Sequence, residues 1–430
     1  MDKQIKQIQD NELKEFYKLK VASIWRYFVS TKLAFWMACL YMIVEYVRPQ
    51  SIYAPIENIQ LGKISIIGML AAALLSKQVR WQANPLNKYL VFYFLLILLS
   101  GVFAINPDLT YQNLDRYLLW LLVYFLLVSI IDSQKKYFIF ILLFVLVNLK
   151  MTQHGFFAFA ARGFLFDKHG VVGAPGWFKN SGEFGIQLTI IIPVFIYFII
   201  ALKPHLSKVK LWILYFLPLS AFVSVAATSS RGAMLGTVAA MLVILFKNKR
   251  KFRAIFPIAL AVLLIYAFIP EESLQRFDTA GEDSTSEHRL VIWGIGLDEM
   301  NKSPMLGVGF ANWEEYYTNY YPEQRGSAMM HNAFLQAGTE LGYTGLVLLL
   351  LIILKLFYLN YKVRKYSKES GDNFSYHMSN ALDAGLVGFM VSGSFVTVLY
   401  YPYLWMHAVF VAALYNISRK NALNHSAKDE

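Results

Sequence analysis

The stretch TELGYTGLVLLLLIILKLFY at residues 339–358 decides the fold class of this chain. Apart from Glu340 and Lys355 it carries no charge, and about 20 mostly apolar residues are enough to cross the hydrocarbon core of a bilayer as a helix. A second stretch of the same kind, FGIQLTIIIPVFIYFIIAL, occupies residues 184–202. Only helices and closed barrels span membranes, and these long unbroken runs favour helices.

Twelve apolar runs occur along the chain, at 33–47, 61–76, 88–104, 117–131, 137–151, 184–202, 209–227, 232–246, 254–269, 339–358, 381–400 and 403–418. Hydrophobic residues make up 57% of the 430 residues and charged residues only 16%. Aromatic residues at 16% and a single cysteine exclude a disordered chain and a disulfide scaffold. We therefore expect an all-α integral membrane protein with about 12 transmembrane helices.

The expected organisation has five parts: a cytoplasmic N-terminal segment at 1–32, transmembrane helices 1–9 at 33–269, a periplasmic loop at 270–338, transmembrane helices 10–12 at 339–418, and a cytoplasmic tail at 419–430. If the N-terminus is cytoplasmic, the short inner loops carry 17 Lys and Arg in 53 positions and the short outer loops 6 in 64. This asymmetry predicts cytoplasmic termini. It also explains the net charge of +12 without a nucleic-acid partner.

Two outer segments are too long to be simple connections. Residues 270–330 contain 11 acidic residues against Arg276, Arg289, Lys302 and Arg325. Within them Leu290, Val291, Trp293, Leu297 and Met300 recur at roughly helical spacing, which predicts short amphipathic helices on the membrane surface, forming a lid or a substrate platform. The second segment, 152–182, is rich in Gly, Pro and Phe and is expected to form turns with a re-entrant piece.

Arg231 is the first candidate site residue. It lies in the short outer turn TSSRG at 228–232, where Ser229 or Ser230 can cap the following helix. A cation at a helix N-terminus opposes the helix dipole, so a structural role explains it poorly. Free helix N–H groups and a guanidinium together favour an anion such as phosphate.

Arg289 and His331 are the other two candidates, because both fall at the same predicted membrane face as Arg231. A diphosphate offers more oxygens than one arginine can bind. The ordinary pKa of histidine, about 6.5, suits a general base. An ion pair between Arg289 and a nearby carboxylate, or an interfacial anchoring role for His331, remains the alternative. Glu340, nine residues after His331, would point to the other side of a continuous helix.

Five further cations at outer positions are weaker candidates for substrate binding: Arg48, Arg116, Arg162, Lys179 and Arg325. Glu45 and Asp115 offer ion pairs to Arg48 and Arg116 respectively, and this structural role is slightly favoured for both.

Sequence motifs for metal or nucleotide binding do not occur. The chain has no Asp-x-Asp, no Gly-Lys-Ser/Thr after a glycine loop, and no His-x-x-x-His spacing. GVGF at 307–310 is interpreted as a turn. We therefore expect no metal and no cofactor, with arginines supplying the positive charge for a phosphate leaving group.

These features resemble one known family. The span plan, TSSRG, the loop sequence EHRLVIWGIGLDEMNKSPMLGVGFANW at 287–313 and its exit HNAFLQAGTELGYTGL at 331–346 are together similar to the bacterial O-antigen ligase and O-antigen polymerase superfamily. The resemblance covers about 220–430.

The resemblance implies an inner-membrane glycosyltransferase that moves a glycan from undecaprenyl diphosphate to lipid A core, glycan or protein on the periplasmic side. It implies metal-independent, inverting chemistry, with Arg231 and Arg289 on the diphosphate and His331 serving the acceptor hydroxyl. A polymerase of the same superfamily remains an alternative. So does a transporter that uses Glu45, Glu183 and Asp383 as an ion path.

Overall fold

The structure is a computed structural model that describes residues 11–76, 79–165, 170–247, 284–324 and 328–426, without the side chains of 284–286 and 425–426. Within these ranges the chain is helical, with short 3-10 turns and no strand. After a helical segment at 11–17, the helices are α1 Val21–Ser30, α2 Leu33–Val47, α3 Leu61–Leu75, α4 Asn87–Val102, α5 Pro107–Gln112, α6 Asp115–Ile130, α7 Gln134–Ala161, α8 Ser181–Leu202, α9 Lys208–Leu214, α10 Phe216–Ala227, α11 Arg231–Lys247, α12 Ser284–Lys302, α13 Trp313–Tyr320, α14 Ala333–Ser370, α15 Asn373–Gly393 and α16 Pro402–Ser426.

The all-helical membrane architecture is confirmed. Five segments are long and apolar enough to cross a membrane: Pro107–Ile130, Gln134–Ala161, Ser181–His205, Lys208–Ala227 and Ala333–Ser370. Each of the other predicted runs that the structure describes also forms a helix. The ninth run, 254–269, lies outside the described residues, so the number of twelve spans stays a prediction.

The centre of the bundle is the contact of α8 with α11 and α15. Small residues let these helices approach closely: a Cβ on Gly236 would lie 2.7 Å from the carbonyl oxygen of Gly388. The buried hydroxyl of Thr189 lies 3.1 Å from the carbonyl oxygen of Ala233 and 3.1 Å from the hydroxyl of Thr237. Membrane helices associate through such small residues and interhelical hydrogen bonds, because lipid offers no hydrophobic drive between them.

Two boundaries differ from the expectation. Helix α7 continues to Ala161, so the first ten residues of the predicted irregular segment 152–182 are helical. Helix α15 ends at Gly393, and an eight-residue connection, 394–401, precedes α16 where the hydropathy pattern predicts only residues 401–402. The pattern misses this end because Val396, Val398 and Leu399 are as apolar as the helix before them.

Helix α14 is broken at Gly342. This residue has φ 69° and ψ −175°, a conformation essentially restricted to glycine, and it separates a short segment, 333–341, from a long one, 343–370. The backbone groups at the break bond to the loop that follows α12. Val308 N donates to Thr339 O at 2.8 Å, Gly309 N to Glu340 O at 3.1 Å, and Tyr343 N to Pro304 O at 2.8 Å. Residues 304–309, which include most of the GVGF turn, therefore pair with backbone groups at the break.

The large loop is docked on the bundle through residues 100–113 as well. Thr110 Oγ1 donates to Phe310 O at 2.8 Å, and Asn106 N donates to Asn312 Oδ1 at 2.8 Å. The side chain of Asn106 also donates to the carboxylate of Glu315 at 3.1 Å. The described part of the loop is therefore anchored at several points.

Helix α12 confirms a helix at His288–Met300, but its faces differ from the expectation. Ile292 and Met300 are fully buried, whereas Leu290 is 58% and Leu297 is 44% exposed. The residues proposed to share one face therefore divide between two, because α12 packs on α14 through Gly296 and Met300.

A buried carboxylate, that of Asp383, links three helices. It lies near the end of α11, whereas Arg231 is at the start of that helix. Asp383 in α15 accepts hydrogen bonds from Asn360 Nδ2 at 2.8 Å and Arg364 Nη1 at 2.6 Å, both in α14. It also forms an ion pair with Lys247, the last residue of α11. The side chain of Asp383 is 6% exposed, so these partners compensate a charge that would otherwise be costly to bury.

Replacing Gly342 by Ala is expected to destabilise the protein by about 1 to 3 kcal/mol, because alanine must adopt a glycine-only conformation. Its Cβ would also meet Pro304 O at 2.5 Å. Thermal unfolding of the detergent-purified protein measures the loss. Gly294→Ala is the matched control: this glycine lies within α12 with nothing within 4 Å of a Cβ, so the change should be neutral or slightly stabilising. Equal melting temperatures for the two variants would contradict the strain assigned to the break.

Asp383→Asn should lower stability by about 3 kcal/mol, because it leaves the partly buried Lys247 and Arg364 without their counter-charge. Lys18→Ala provides the comparison, since the side chains of Lys18 and its partner Glu15 are 47% and 28% exposed and Lys20 also pairs with Glu15, so this change should have little effect. Both are measured by thermal unfolding. A loss for Asp383→Asn no larger than that for Lys18→Ala would show that the cluster does not stabilise the protein.

Candidate functional site

The turn that carries Arg231 is built by two serines. Ser229 takes the left-handed conformation, with φ 52°, and reverses the chain after α10. Ser230 Oγ accepts a hydrogen bond from Ala233 N at 3.3 Å, which confirms the predicted N-terminal cap of α11. Arg231 is the first residue of that helix and is half-buried. Arg231 is therefore at the positive end of the helix dipole, where an anion is favoured.

This turn packs against the connection 394–401. A Cβ on Gly232 would lie 3.0 Å from Phe395 Cβ, and one on Gly182 would lie 3.3 Å from Val396 Cγ2. The start of α8, the turn with Arg231 and the connection 394–401 are therefore in mutual contact at one end of the bundle.

His331 lies just before α14, outside the helix. It has φ 49°, and its backbone N–H donates to Thr397 Oγ1 at 2.7 Å. The next residue, Asn332, caps α14 by accepting from Phe334 N at 2.9 Å and Leu335 N at 3.0 Å. The left-handed conformation and the hydrogen bond to Thr397 together fix the backbone of His331, from which the imidazole extends.

The positive charge of Arg289 affects the pKa of His331. Burial lowers the pKa of His331 to about 4, and the positive charge of Arg289 and the His288 imidazole lower it as well. Helix α12 is held in this position by Trp293, whose Nε1 donates to Met330 O at 2.8 Å. At neutral pH the imidazole of His331 is therefore uncharged, but it is a weaker base than the histidine of ordinary pKa expected from the sequence.

The connection 394–401 links the two halves of the candidate site. Phe395 contacts the turn with Arg231, and Thr397, two residues later, binds His331. Two residues of chain span at most about 7 Å. The turn that contains Arg231 and the backbone of His331 thus contact the same short segment, and the charge of Arg289 acts on His331.

Glu340 accepts hydrogen bonds from residues other than His331. Its carboxylate accepts hydrogen bonds from Gln336 Nε2 at 3.1 Å and Tyr400 OH at 3.0 Å. Among the described residues no hydrogen bond joins it to His331. This agrees with the expectation that it does not orient the imidazole.

Arg48 and Arg116 lie near the other end of the connection 394–401. Arg48 lies over the ring of Trp177 at 5.2 Å, and the indole N–H of Trp177 donates to Glu45. Arg48 and Glu45 thus interact through their charges, as expected, and both also contact Trp177. The ring centroids of Trp177 and Tyr401 lie 4.8 Å apart. The positive charge of Arg116 in turn acts on the hydroxyl of Tyr401.

The three remaining candidate residues are Arg162, Lys179 and Arg325. Arg162 and Lys179 are exposed at the two ends of the connection between α7 and α8, and Lys179 interacts electrostatically with Glu183. Arg325 lies outside the described residues. Within the part of the chain that the structure describes, no group of three or more His, Cys, Asp or Glu side chains is placed to hold a metal ion.

Sequence reasoning missed Thr397 and the connection that contains it. The signal was present in the run SFVTVLYYPY at 394–403, where Ser394 follows Gly393 and Tyr400, Tyr401 and Tyr403 surround a proline. Such a cluster is typical of a helix end at a membrane interface.

The chain is similar to known proteins over part of its length. Residues 213–350 match the family described as O-Antigen ligase, and the matched region contains Arg231, Arg289 and His331. Over 106 residues the chain is 33% identical to the exopolysaccharide production protein ExoQ of Rhizobium meliloti (strain 1021). Residues 213–350 are therefore similar to the O-antigen ligase family, and they make up less than half of the chain. The match to the Rhizobium protein covers 23% of this chain and 24% of that protein, so this similarity spans about a quarter of either one.

Arg289→Gln should raise the pKa of His331 from about 4 towards its ordinary value, because it removes a positive charge that disfavours the imidazolium. NMR titration of protein labelled with ¹³C-histidine measures this, with the His331 signal assigned by its loss in His331→Gln. Lys365→Gln, an exposed cation towards the other end of α14, should leave the pKa unchanged. A His331 pKa that stays constant or falls in Arg289→Gln would show that the two groups do not interact.

Proposed function

We propose that this protein is an inner-membrane glycosyltransferase that moves a glycan from undecaprenyl diphosphate to an acceptor hydroxyl on the periplasmic side. The observation that carries the proposal is that one connection, 394–401, binds the backbone of His331 and packs on the turn with Arg231, while the charge of Arg289 acts on His331. A base next to cations suits a reaction in which a hydroxyl loses its proton while a diphosphate departs.

The proposed reaction is a single displacement with inversion at the anomeric carbon, without a metal. His331 accepts the proton of the acceptor hydroxyl as its oxygen bonds to the anomeric carbon. The bond from that carbon to the diphosphate oxygen breaks, and the negative charge that develops there is stabilised by Arg231 and Arg289. Fixed cations lower the barrier most when they lie where charge develops in the transition state.

The periplasmic position of the site rests on the charge asymmetry of the loops, with both termini in the cytoplasm. On this topology the ion pair of Lys247 with Asp383 lies towards the cytoplasmic side, since Lys247 and Arg231 are at opposite ends of α11.

A polymerase of the same superfamily is the second candidate. The similarity to a protein named for exopolysaccharide production favours it, because in a polymerase the acceptor is another lipid-linked glycan and the product a polysaccharide. In a ligase the acceptor would be lipid A core or protein. Loss of a ligase leaves polymer on its lipid carrier, whereas loss of a polymerase leaves single repeat units.

A transporter is less well supported. Glu45 binds the indole of Trp177, and Glu183 caps α8 and accepts a hydrogen bond from Tyr401 at 3.0 Å. Asp383 is held by its three partners. Each carboxylate proposed for an ion path therefore has a structural role.

Transfer from a synthetic undecaprenyl-diphosphate glycan by the purified protein in proteoliposomes tests the function. His331→Gln, Arg231→Lys and Arg289→Lys should each reduce turnover by about 10² or more, since lost oxyanion donors cost this much and a lysine cannot reproduce a bidentate guanidinium contact. Lys365→Ala is the control and should retain wild-type turnover. Full turnover by His331→Gln would disprove its role as base, and no transfer by the wild type to any lipid or glycan acceptor would disprove the function.

A further inference from the structure

Helix α12 exposes apolar side chains that its position does not explain. Leu290 is 58%, Val291 42% and Leu297 44% exposed, and Met305, just after the helix, is 71% exposed. We name these four residues the outer apolar row. Leu290 and Leu297 are seven residues apart and share one helix face with Gly294. An apolar row of this kind on an otherwise packed helix indicates a surface that something apolar covers.

The outer apolar row is continuous with the lipid-facing side of α14. Tyr343 begins the long segment of α14, and its hydroxyl donates to Asn301 Oδ1 of α12 at 2.8 Å. Beyond it, exposed residues recur at spacings of three and four along the membrane-spanning segment: Tyr343, Val347, Leu350, Leu354, Tyr358 and Tyr361. This spacing places them on one face, which a bilayer would cover. The hydrocarbon surface of the span therefore extends onto the loop helix.

The outer apolar row begins at the candidate site. Leu290 follows Arg289 directly, and Arg289 acts on the pKa of His331. A ligand that fits both features has an anionic head group and a long apolar chain. Leu290 and Leu297 are separated by about 10 Å along the helix axis, so only a chain of some length contacts both.

We propose that the polyprenyl chain of the lipid-linked donor lies against the outer apolar row while Arg289 binds its diphosphate. This inference rests on the proposed function and adds a binding surface for the lipid part of the substrate. Phospholipids also join a phosphate to acyl chains, but a diphosphate offers more oxygens to a guanidinium than a phosphodiester does, which favours the donor at this surface. The surface should therefore make the enzyme selective for chain length.

The double variant Leu290→Ser/Leu297→Ser tests this in proteoliposomes with two donors that differ only in their lipid, undecaprenyl and geranyl diphosphate glycan. With the undecaprenyl donor kcat/KM should fall about tenfold or more, as burial of one leucine is worth this much in binding. With the geranyl donor it should fall much less, because that chain is too short to cover both leucines. Val238→Ser/Leu242→Ser, on the exposed face of α11, is the matched control and should affect neither donor. An equal loss with both donors, or no loss with either, would overturn the proposal.

Photocrosslinking gives a second measurement that does not depend on turnover. With p-benzoylphenylalanine in place of Leu297, irradiation should attach undecaprenyl diphosphate, and excess undecaprenyl phosphate should compete. Crosslinks only to ordinary phospholipid, to residues 254–269 of the same chain or to a second copy would identify a different occupant and reject the proposal. Because this assay detects binding alone, it separates failure of the proposed surface from failure of the proposed glycosyl transfer.

Discussion

The hydrogen bonds between the broken helix α14 and residues 304–309 are the constraint on which the site depends. A break at Gly342 leaves backbone groups without helical partners, and unpaired groups of this kind are costly when buried. The loop after α12 pairs with them through Val308, Gly309 and Pro304. The same contacts fix α12 on α14, and α12 carries Arg289. The same set of contacts therefore pairs the broken helix, docks the loop and holds the helix that carries Arg289.

The helices could be predicted from sequence, whereas their interruptions could not. Runs such as 184–202 are apolar over a length that only a helix can bury, so composition alone identifies them. The break at Gly342 depends on Gly307, 35 residues earlier, approaching the backbone so closely that a Cβ on Gly307 would collide with Thr339 O. A local pattern holds no information about such a partner. The end of α15 at Gly393 was missed for the related reason that its connection stays apolar.

The types of residue in the site were also predictable, but their interactions were not. Cations and a histidine at the outer ends of predicted spans stand out because charge is rare there. Their chemistry, however, depends on tertiary neighbours. The pKa of His331 reflects its burial and the charge of Arg289, which is 42 residues away in sequence. In the same way Arg48 was expected to pair with Glu45 nearby, and Trp177, more than 120 residues later, also contacts both.

The backbone of His331 shows how the fold maintains a conformation that the residue alone would avoid. A left-handed φ of 49° is uncommon outside glycine and costs of order 1 to 3 kcal/mol unless the surroundings enforce it. Thr397 holds the N–H of His331, and Asn332 begins the helix immediately afterwards. The connection with Thr397 is itself packed against Gly232 and Gly182. The backbone of His331 is therefore held by a connection that also packs against the turn with Arg231.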